Sequence, residues 1–321
     1  MKKKIILLSG DPNSINSEII FKSWKKINNS LKKKIYLISN YELLKNQFKK
    51  LNYSIKVLKV KDINENEKSD KLKIIDVDLR FKKPFKIPNK SASKFIIKSL
   101  NLAHKYALRK NVAGIINCSI NKKLLNKANI GVTEYLSAKC GVKDNSEIML
   151  IRNKKLSVSP VTTHIDIKKI SKKINSINII NKVKTIQLWF KKNVKKNPKI
   201  AILGLNPHNS EFKKNSEEMR IIIPSIVKLK KIGINLKGPF SADSLFINDY
   251  KKYDVIIGMF HDQVLTPFKT LFKFDAINIT LGLKYLRTSP DHGTATNLIG
   301  NNKADPTSLI QCINFINKFG K

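Results

Sequence analysis

Short aliphatic runs alternate along this chain with lysine-rich segments of helical spacing, and that alternation restricts it to α/β architectures. Strands are expected at Ile5 to Ser9, Lys34 to Ile38 and Ile55 to Val60, with helices around Ser17 to Lys26 and Tyr41 to Leu51. Ala92, Ile96, Leu100, Ala103 and Ala107 fall near one face of a long helix over Ser91 to Arg109, and Val112 to Asn117 follows as a strand. Lys61 to Lys71 reads as a polar loop and Ile167 to Asn181 as an exposed helix. The 321 residues contain no internal repeat and no low-complexity linker, so two lobes sharing a sheet or a cleft are expected.

Four of the five histidines lie in the second half, and three of them directly follow short apolar runs: Leu156 to Thr163 before His164, Ile200 to Pro207 before His208, and Tyr253 to Phe260 before His261. Runs of this kind read as buried strands, and parallel strands present their C-terminal ends on one edge, where α/β proteins bind ligands. Three neutral imidazoles meeting there would hold a zinc-like ion and leave a position open for substrate or water. Taken singly, each is equally well an ordinary loop histidine; the repetition favours a shared catalytic site. His104, inside the long predicted helix, reads as a surface or packing residue.

The formal net charge of +40 points toward polyanionic partners, yet only five of the 63 basic residues are arginine. Arginine is the side chain suited to bidentate phosphate and base-edge contacts, and the lysines are spread over nearly every segment. A solvated lysine surface with weak, salt-sensitive adhesion to polyanions is the expectation, with no specific nucleic acid as partner. Cys118, Cys140 and Cys312 are too few and too scattered for a disulfide framework, which suits a reducing cytoplasm. Lys2 to Lys4 followed by Ile5 to Leu8 reads as the first strand rather than a signal sequence. No run approaches the roughly 20 apolar residues needed to span a bilayer, so a soluble protein with no membrane partner is expected.

The most specific stretch is Tyr253 to Pro306, with Met-Phe-His-Asp-Gln at 259–263, Asn-Ile-Thr-Leu-Gly-Leu at 278–283 and Arg-Thr-Ser-Pro-Asp-His-Gly-Thr-Ala at 287–295. Gly-Asp-Pro at 10–12, Thr-Thr-His at 162–164, Leu-Asn-Pro-His at 205–208 and Gly-Pro-Phe-Ser-Ala-Asp-Ser-Leu-Phe at 238–246 complete the set. In order and spread these motifs closely resemble the 4-hydroxythreonine-4-phosphate dehydrogenase family of pyridoxine biosynthesis. The resemblance implies a two-lobed α/β fold of the isocitrate/isopropylmalate dehydrogenase-like type with a central cleft. It divides the chain into a cofactor-binding lobe (1–125 with 268–321) and a metal-binding and dimerisation lobe (126–267).

It also implies metal-dependent oxidation of 4-phosphooxy-L-threonine by NAD or NADP, with decarboxylation to 3-amino-2-oxopropyl phosphate. The divalent ion, zinc first with cobalt, nickel or magnesium as alternatives, falls to His164, His208 and His261. Asp262, beside a ligand, is a supporting partner or proton acceptor, or else a plain surface residue; it and Lys269 form the expected catalytic pair. Thr133, Lys269, Asn278 and Arg287 are implied as substrate contacts, Arg287 the most persuasive because arginine is scarce. No Gly-x-Gly-x-x-Gly follows a strand, so a standard Rossmann site is not expected. Instead His292, Gly293, Thr294, Ala295 and Asn297 are similar to an adenine-binding loop, the alternative being a turn that caps a helix. A homodimer with at least one histidine ligand contributed in trans is implied.

Several framing positions depart from the family. Val132 stands where Gly-His-Thr-Glu has histidine, removing a substrate contact worth about 1 to 3 kcal/mol. Ser14 and Asn16 replace glycines after Gly-Asp-Pro, which predicts strain at any positive φ there; Cys118-Ser119 is also atypical, and the glycines that follow the family's Asn-Pro-His are missing. Three rival functions follow: oxidation of another phosphorylated hydroxy acid such as a threonate or erythronate phosphate, a basic nucleic-acid-binding protein on an inherited enzyme fold, and a three-histidine metallohydrolase working without nicotinamide.

Overall fold

The computed structural model describes residues 3–125, 131–142 and 147–320. Its strands are β1 (Lys4–Leu8), β2 (Ile35–Ser39), β3 (Val57–Val60), β4 (Leu72–Asp76), β5 (Val112–Asn117), β6 (Ile148–Arg152), β7 (Ser157–Pro160), β8 (Ile200–Leu203), β9 (Leu236–Phe240), β10 (Val255–Gly258), β11 (Ile277–Leu281) and β12 (Arg287–Pro290). The principal helices are α1 (Asn16–Lys26), α2 (Tyr41–Lys50), α3 (Asn89–Ala107), α4 (Val132–Lys139), α5 (Ser176–Trp189), α6 (Ile223–Lys231), α7 (His261–Phe272) and α8 (Thr307–Phe319). The chain is a mixed α/β protein of two compact units, Met1–Lys143 with Leu283–Lys321, and Asp144–Gly282. These divisions lie further along the chain than 125/126 and 267/268, because α4 packs on α3 of the first unit and β11 pairs with β6 of the second.

The first unit is built on the strand order β3-β4-β2-β1-β5-β12, with every pairing parallel. Every residue of β1 and β2 is buried, as strands covered on both faces require. Ile6 and Leu8 join Phe95, Ile96, Leu100 and Ala103 of α3 in one apolar cluster, while Ile5 and Leu7 project to the opposite face by strand alternation. Asn40 starts α2 by accepting a hydrogen bond from Leu43 N at 2.8 Å. β5 approaches the chain entering β12 so closely that a Cβ on Gly114 would stand 2.5 Å from the Leu286 carbonyl.

The second unit carries β11-β6-β7-β10-β8-β9. β6 runs antiparallel to both β11 and β7, whereas β7, β10 and β8 are adjacent and parallel. The segment expected as one helix over Ile167 to Asn181 is broken: a short turn of helix at Ile170–Lys173 ends at Ile174, and Asn175 then caps α5 by accepting from Asn178 N at 2.9 Å. An asparagine competing for backbone donors stops one helix and starts the next. The strain expected at Ser14 and Asn16 is absent, since neither has positive φ. Asn16 instead opens α1 and exchanges hydrogen bonds with Ser119, its Nδ2 donating to the Ser119 carbonyl and its Oδ1 accepting from Ser119 Oγ. Among the described residues no helix is long and apolar enough to cross a membrane.

Candidate active site

The parallel trio β7, β10 and β8 places three histidines past the same edge of the second unit's sheet: His164 beyond β7, His261 beyond β10 and His208 beyond β8. His164 and His261 are brought together, with ring centroids 5.5 Å apart and planes inclined at 41°. The two loops are fastened by backbone and side-chain bonds, Val161 N to the Gly258 carbonyl at 2.7 Å and Thr162 Oγ1 to the Met259 carbonyl at 2.8 Å. His261 opens α7, and its Nδ1 lies 2.6 Å from Asp262 Oδ1. A carboxylate can only accept, so Nδ1 carries the proton and Nε2 is left with its lone pair, the tautomer a metal needs.

His208 does not complete that group within one chain: among the described residues no cluster of three His, Cys, Asp or Glu side chains is placed to hold a metal ion. Its imidazole is exposed, with Nε2 3.7 Å from Asp243 Oδ2. The reason is local. His208, Asn209, Ser210, Glu211 and Phe212 all have φ between 48° and 56°, a left-handed turn made without glycine. The approach to this turn is gripped by the fully buried Glu218, whose Oε1 accepts from Leu205 N at 2.8 Å and Asn206 N at 2.9 Å. Burial alone would raise the Glu218 pKa, but the bonds from Asn206 and Leu205 outweigh it and hold the carboxyl below its ordinary value. Gln263 then ties two strand ends together, accepting from Met259 N and donating to the Gly204 carbonyl, each at 2.7 Å.

Glu218 carried no signal in the sequence beyond a polar stretch after His208. Gln263 was visible only as the last letter of Met-Phe-His-Asp-Gln, because its role depends on which strands are neighbours. Lys269 sits on α7, exposed, about 12 Å of helix rise beyond His261. Asn278, on β11 opposite Ile151, keeps a buried Oδ1 with no hydrogen-bond partner among the described residues. The donor set of the second unit, two adjacent imidazoles with one tautomer fixed by a carboxylate, fits a zinc-like ion.

In the first unit the structure joins two other expected residues. Arg287 is buried; its Nε donates to Asn117 Oδ1 at 2.8 Å and its Nη1 to Thr133 Oγ1 at 2.9 Å. Burial pushes its pKa down to about 10. Thr133 stands in the first turn of α4, whose start is closed by Gly131 N donating to Glu134 Oε2 at 2.9 Å. Val132, beside it, packs into the apolar cluster of α3.

The segment 292–305 is irregular, with left-handed φ at Ala295, Gly300 and Asn302, and a Cβ added at Gly293 or Gly300 would meet nothing within 4 Å. It is pinned to α1: Glu18 Oε1 accepts from Ala304 N at 2.8 Å, and Lys22 Nζ donates to the Asn302 and Ala304 carbonyls. Ile15 N reaches the Thr294 carbonyl at 3.2 Å, so the Gly-Asp-Pro loop and this segment touch. Asp305 accepts from Thr307 N at 2.8 Å and starts α8. Turn and helix start thus occupy successive parts of one stretch, leaving 292–300 open to a ligand.

A two-unit α/β oxidoreductase with an imidazole pair past its parallel strands is the class that fold and comparison define. The family described as pyridoxal phosphate biosynthetic protein PdxA matches residues 30–316, and the chain belongs to that family of 4-hydroxythreonine-4-phosphate dehydrogenases. The protein of that name from Sulfurihydrogenibium sp. is 37% identical over 319 residues, covering 97% of this chain and 96% of the relative. The one from Aquifex aeolicus is 37% identical over 322 residues, covering 98% of each. The crystal structure of the Klebsiella pneumoniae 4-hydroxythreonine-4-phosphate dehydrogenase superposes with a TM-score of 0.86 at 27% identity, over 99% of this chain and all of that one.

Proposed function

We propose that this protein oxidises 4-phosphooxy-L-threonine with NAD or NADP, the product losing carbon dioxide to give 3-amino-2-oxopropyl phosphate for pyridoxal phosphate synthesis. The observation that carries the reading is the His164–His261 pair at 5.5 Å, with the His261 tautomer set by Asp262. A divalent ion there, zinc before cobalt, nickel or magnesium, would act as a Lewis acid on the substrate's oxygens, and bound NAD or NADP would accept the hydride. The protein's own groups do the rest. Asp262 holds the His261 proton on Nδ1, and as an exposed carboxylate it can take up a proton from the substrate hydroxyl. Arg287, fixed by Asn117 and Thr133, offers planar donors to an anionic group, with Lys269 and Asn278 as further substrate contacts. His292, Gly293, Thr294, Ala295 and Asn297 lie on the open stretch that would receive the adenine end of the cofactor.

The working protein is proposed as a homodimer in which His208 of one chain completes the ligand set of another. Two observations support this. His208 stands outside the pair within one chain, and of the twelve exposed large hydrophobic residues among those described, eleven lie between Ile165 and Phe274 in the second unit. A dimer interface on this unit would cover apolar side chains that one chain alone leaves exposed. The three cysteines are free and buried, which agrees with a reducing cytoplasm.

The test is nicotinamide reduction with 4-phosphooxy-L-threonine, with and without chelator. A chelator-sensitive rise in reduced nicotinamide is expected; none at high enzyme concentration overturns the assignment. A second reading, oxidation of a threonate or erythronate phosphate, is favoured by the apolar packing of Val132 at the start of α4. Turnover of these substrates side by side separates the two.

A further inference from the structure

The segment that carries the proposed adenine contacts has little secondary structure of its own. Between the short turn of helix at Thr296–Leu298 and the start of α8 at Thr307 the chain forms neither helix nor strand, and Ala295, Gly300 and Asn302 lie in the left-handed region. Its shape therefore depends on what grips it. Glu18 and Lys22, one turn apart on the same face of α1, grip both main-chain groups of Ala304. Glu18 Oε1 accepts from Ala304 N at 2.8 Å, and Lys22 Nζ donates to the Ala304 carbonyl at 3.0 Å and to the Asn302 carbonyl at 2.9 Å. Lys22 Nζ also donates to the same Glu18 Oε1 at 2.7 Å. An ammonium has three hydrogens to give, so these three acceptors satisfy it. The Glu18 carboxylate is buried and Lys22 is its paired cation, so removing the lysine leaves a buried charge uncompensated. A second hold comes from Tyr53, whose Oη donates to Asn302 Oδ1 at 2.8 Å. The Tyr53 ring stacks on Phe21, the neighbour of Lys22, with centroids 4.1 Å apart and planes inclined by 1°.

We propose that Lys22 is a positioning residue for the dinucleotide: paired with Glu18 and aided by Tyr53, it fixes 302–304 and so holds 292–297 in the shape that receives the adenine end of the cofactor. This rests on the reading of 292–297 as the cofactor loop. It also gives one lysine of a lysine-rich surface a role that composition could not assign.

The test uses the full-length protein with Lys22→Met, which keeps the length of the side chain, Tyr53→Phe, which keeps the ring on Phe21, and Lys25→Met, which removes an exposed charge from the same helix. Three readouts are taken: amide hydrogen exchange of residues 293–304 without ligand, the Kd of NADH and NADPH by fluorescence without substrate, and KM for the dinucleotide and for 4-phosphooxy-L-threonine. In Lys22→Met, exchange is expected to quicken and the dinucleotide Kd and KM to rise, each about tenfold, as loss of charge-assisted hydrogen bonds implies. In Tyr53→Phe the same quantities should move about threefold, as one neutral hydrogen bond implies. KM for 4-phosphooxy-L-threonine should stay at the wild-type value in both, and Lys25→Met should match wild type throughout. Wild-type exchange in Lys22→Met overturns the proposal, and so does faster exchange with unchanged dinucleotide affinity, or a substrate KM that rises in step with that of the dinucleotide. If Lys22→Met does not fold, Tyr53→Phe decides by the same readouts. A wild-type protein that binds neither dinucleotide, while exchange of 293–304 still quickens in the variants, overturns the cofactor reading of 292–297 and leaves only the clamp on Ala304 standing.

Discussion

The Gln263 side chain and the Gly204 carbonyl meet at 2.7 Å, which joins the start of α7 to the end of β8 through a single amide. The same side chain accepts from Met259 N, so the loops bearing His261 and His208 share one polar rivet. Replacing it with alanine leaves a donor and an acceptor unpaired. Gln263→Ala is expected to lose about 2 kcal/mol of stability in urea titration, and zinc affinity with it; an unchanged midpoint and affinity would show that the rivet is idle.

Asp262→Asn keeps the size of the group beside His261 but removes the charge that fixes the imidazole proton on Nδ1. Zinc affinity measured by calorimetry should fall about 10- to 100-fold, with the thermal midpoint of the metal-free protein little altered. Equal zinc binding by the two proteins would reduce Asp262 to a surface carboxylate.

The left-handed turn from His208 to Phe212 carries five side chains where glycine is at ease. Ser210→Gly and Phe212→Gly should each stabilise the protein, by about 1 kcal/mol per site, and raise Tm. A fall in Tm for both would mean that the contacts of those side chains outweigh the backbone cost.

Glu218 is held below its ordinary pKa in the folded state, so it contributes stability above the unfolded-state value, and that contribution is lost as pH falls through the folded-state value. Between about pH 5 and pH 3, the wild type should lose stability that Glu218→Gln never had. Denaturant midpoints across this range should converge; parallel curves would assign the acid sensitivity to other carboxylates.

Much of the architecture was legible because it rests on patterns within single segments. Val112 to Asn117 is a strand with the expected bounds, and the three apolar runs before the histidines are strands whose ends share one edge. The pairing of Thr133 with Arg287 joins two residues named in advance as substrate contacts. What escaped was relational. Glu218 matters because the chain after Asn206 bends back to it, and no periodicity records such a bend. The turn at His208 winds left-handed although the sequence has no glycine there, so its strain was invisible while the strain expected at Ser14 and Asn16 was not found. The break at Asn175 hinged on one side chain capturing a backbone donor inside an otherwise helical pattern.

The fastening of the His164 and His261 loops to each other relies chiefly on main-chain carbonyls and amides, those of Val161, Gly258 and Met259. Peptide groups are the same whatever residue carries them. Heavy replacement of side chains by lysine, asparagine and isoleucine can therefore sweep across this protein's exterior without loosening the hinge point of its chemistry, and relatives of very different composition can be compared position by position at these loops.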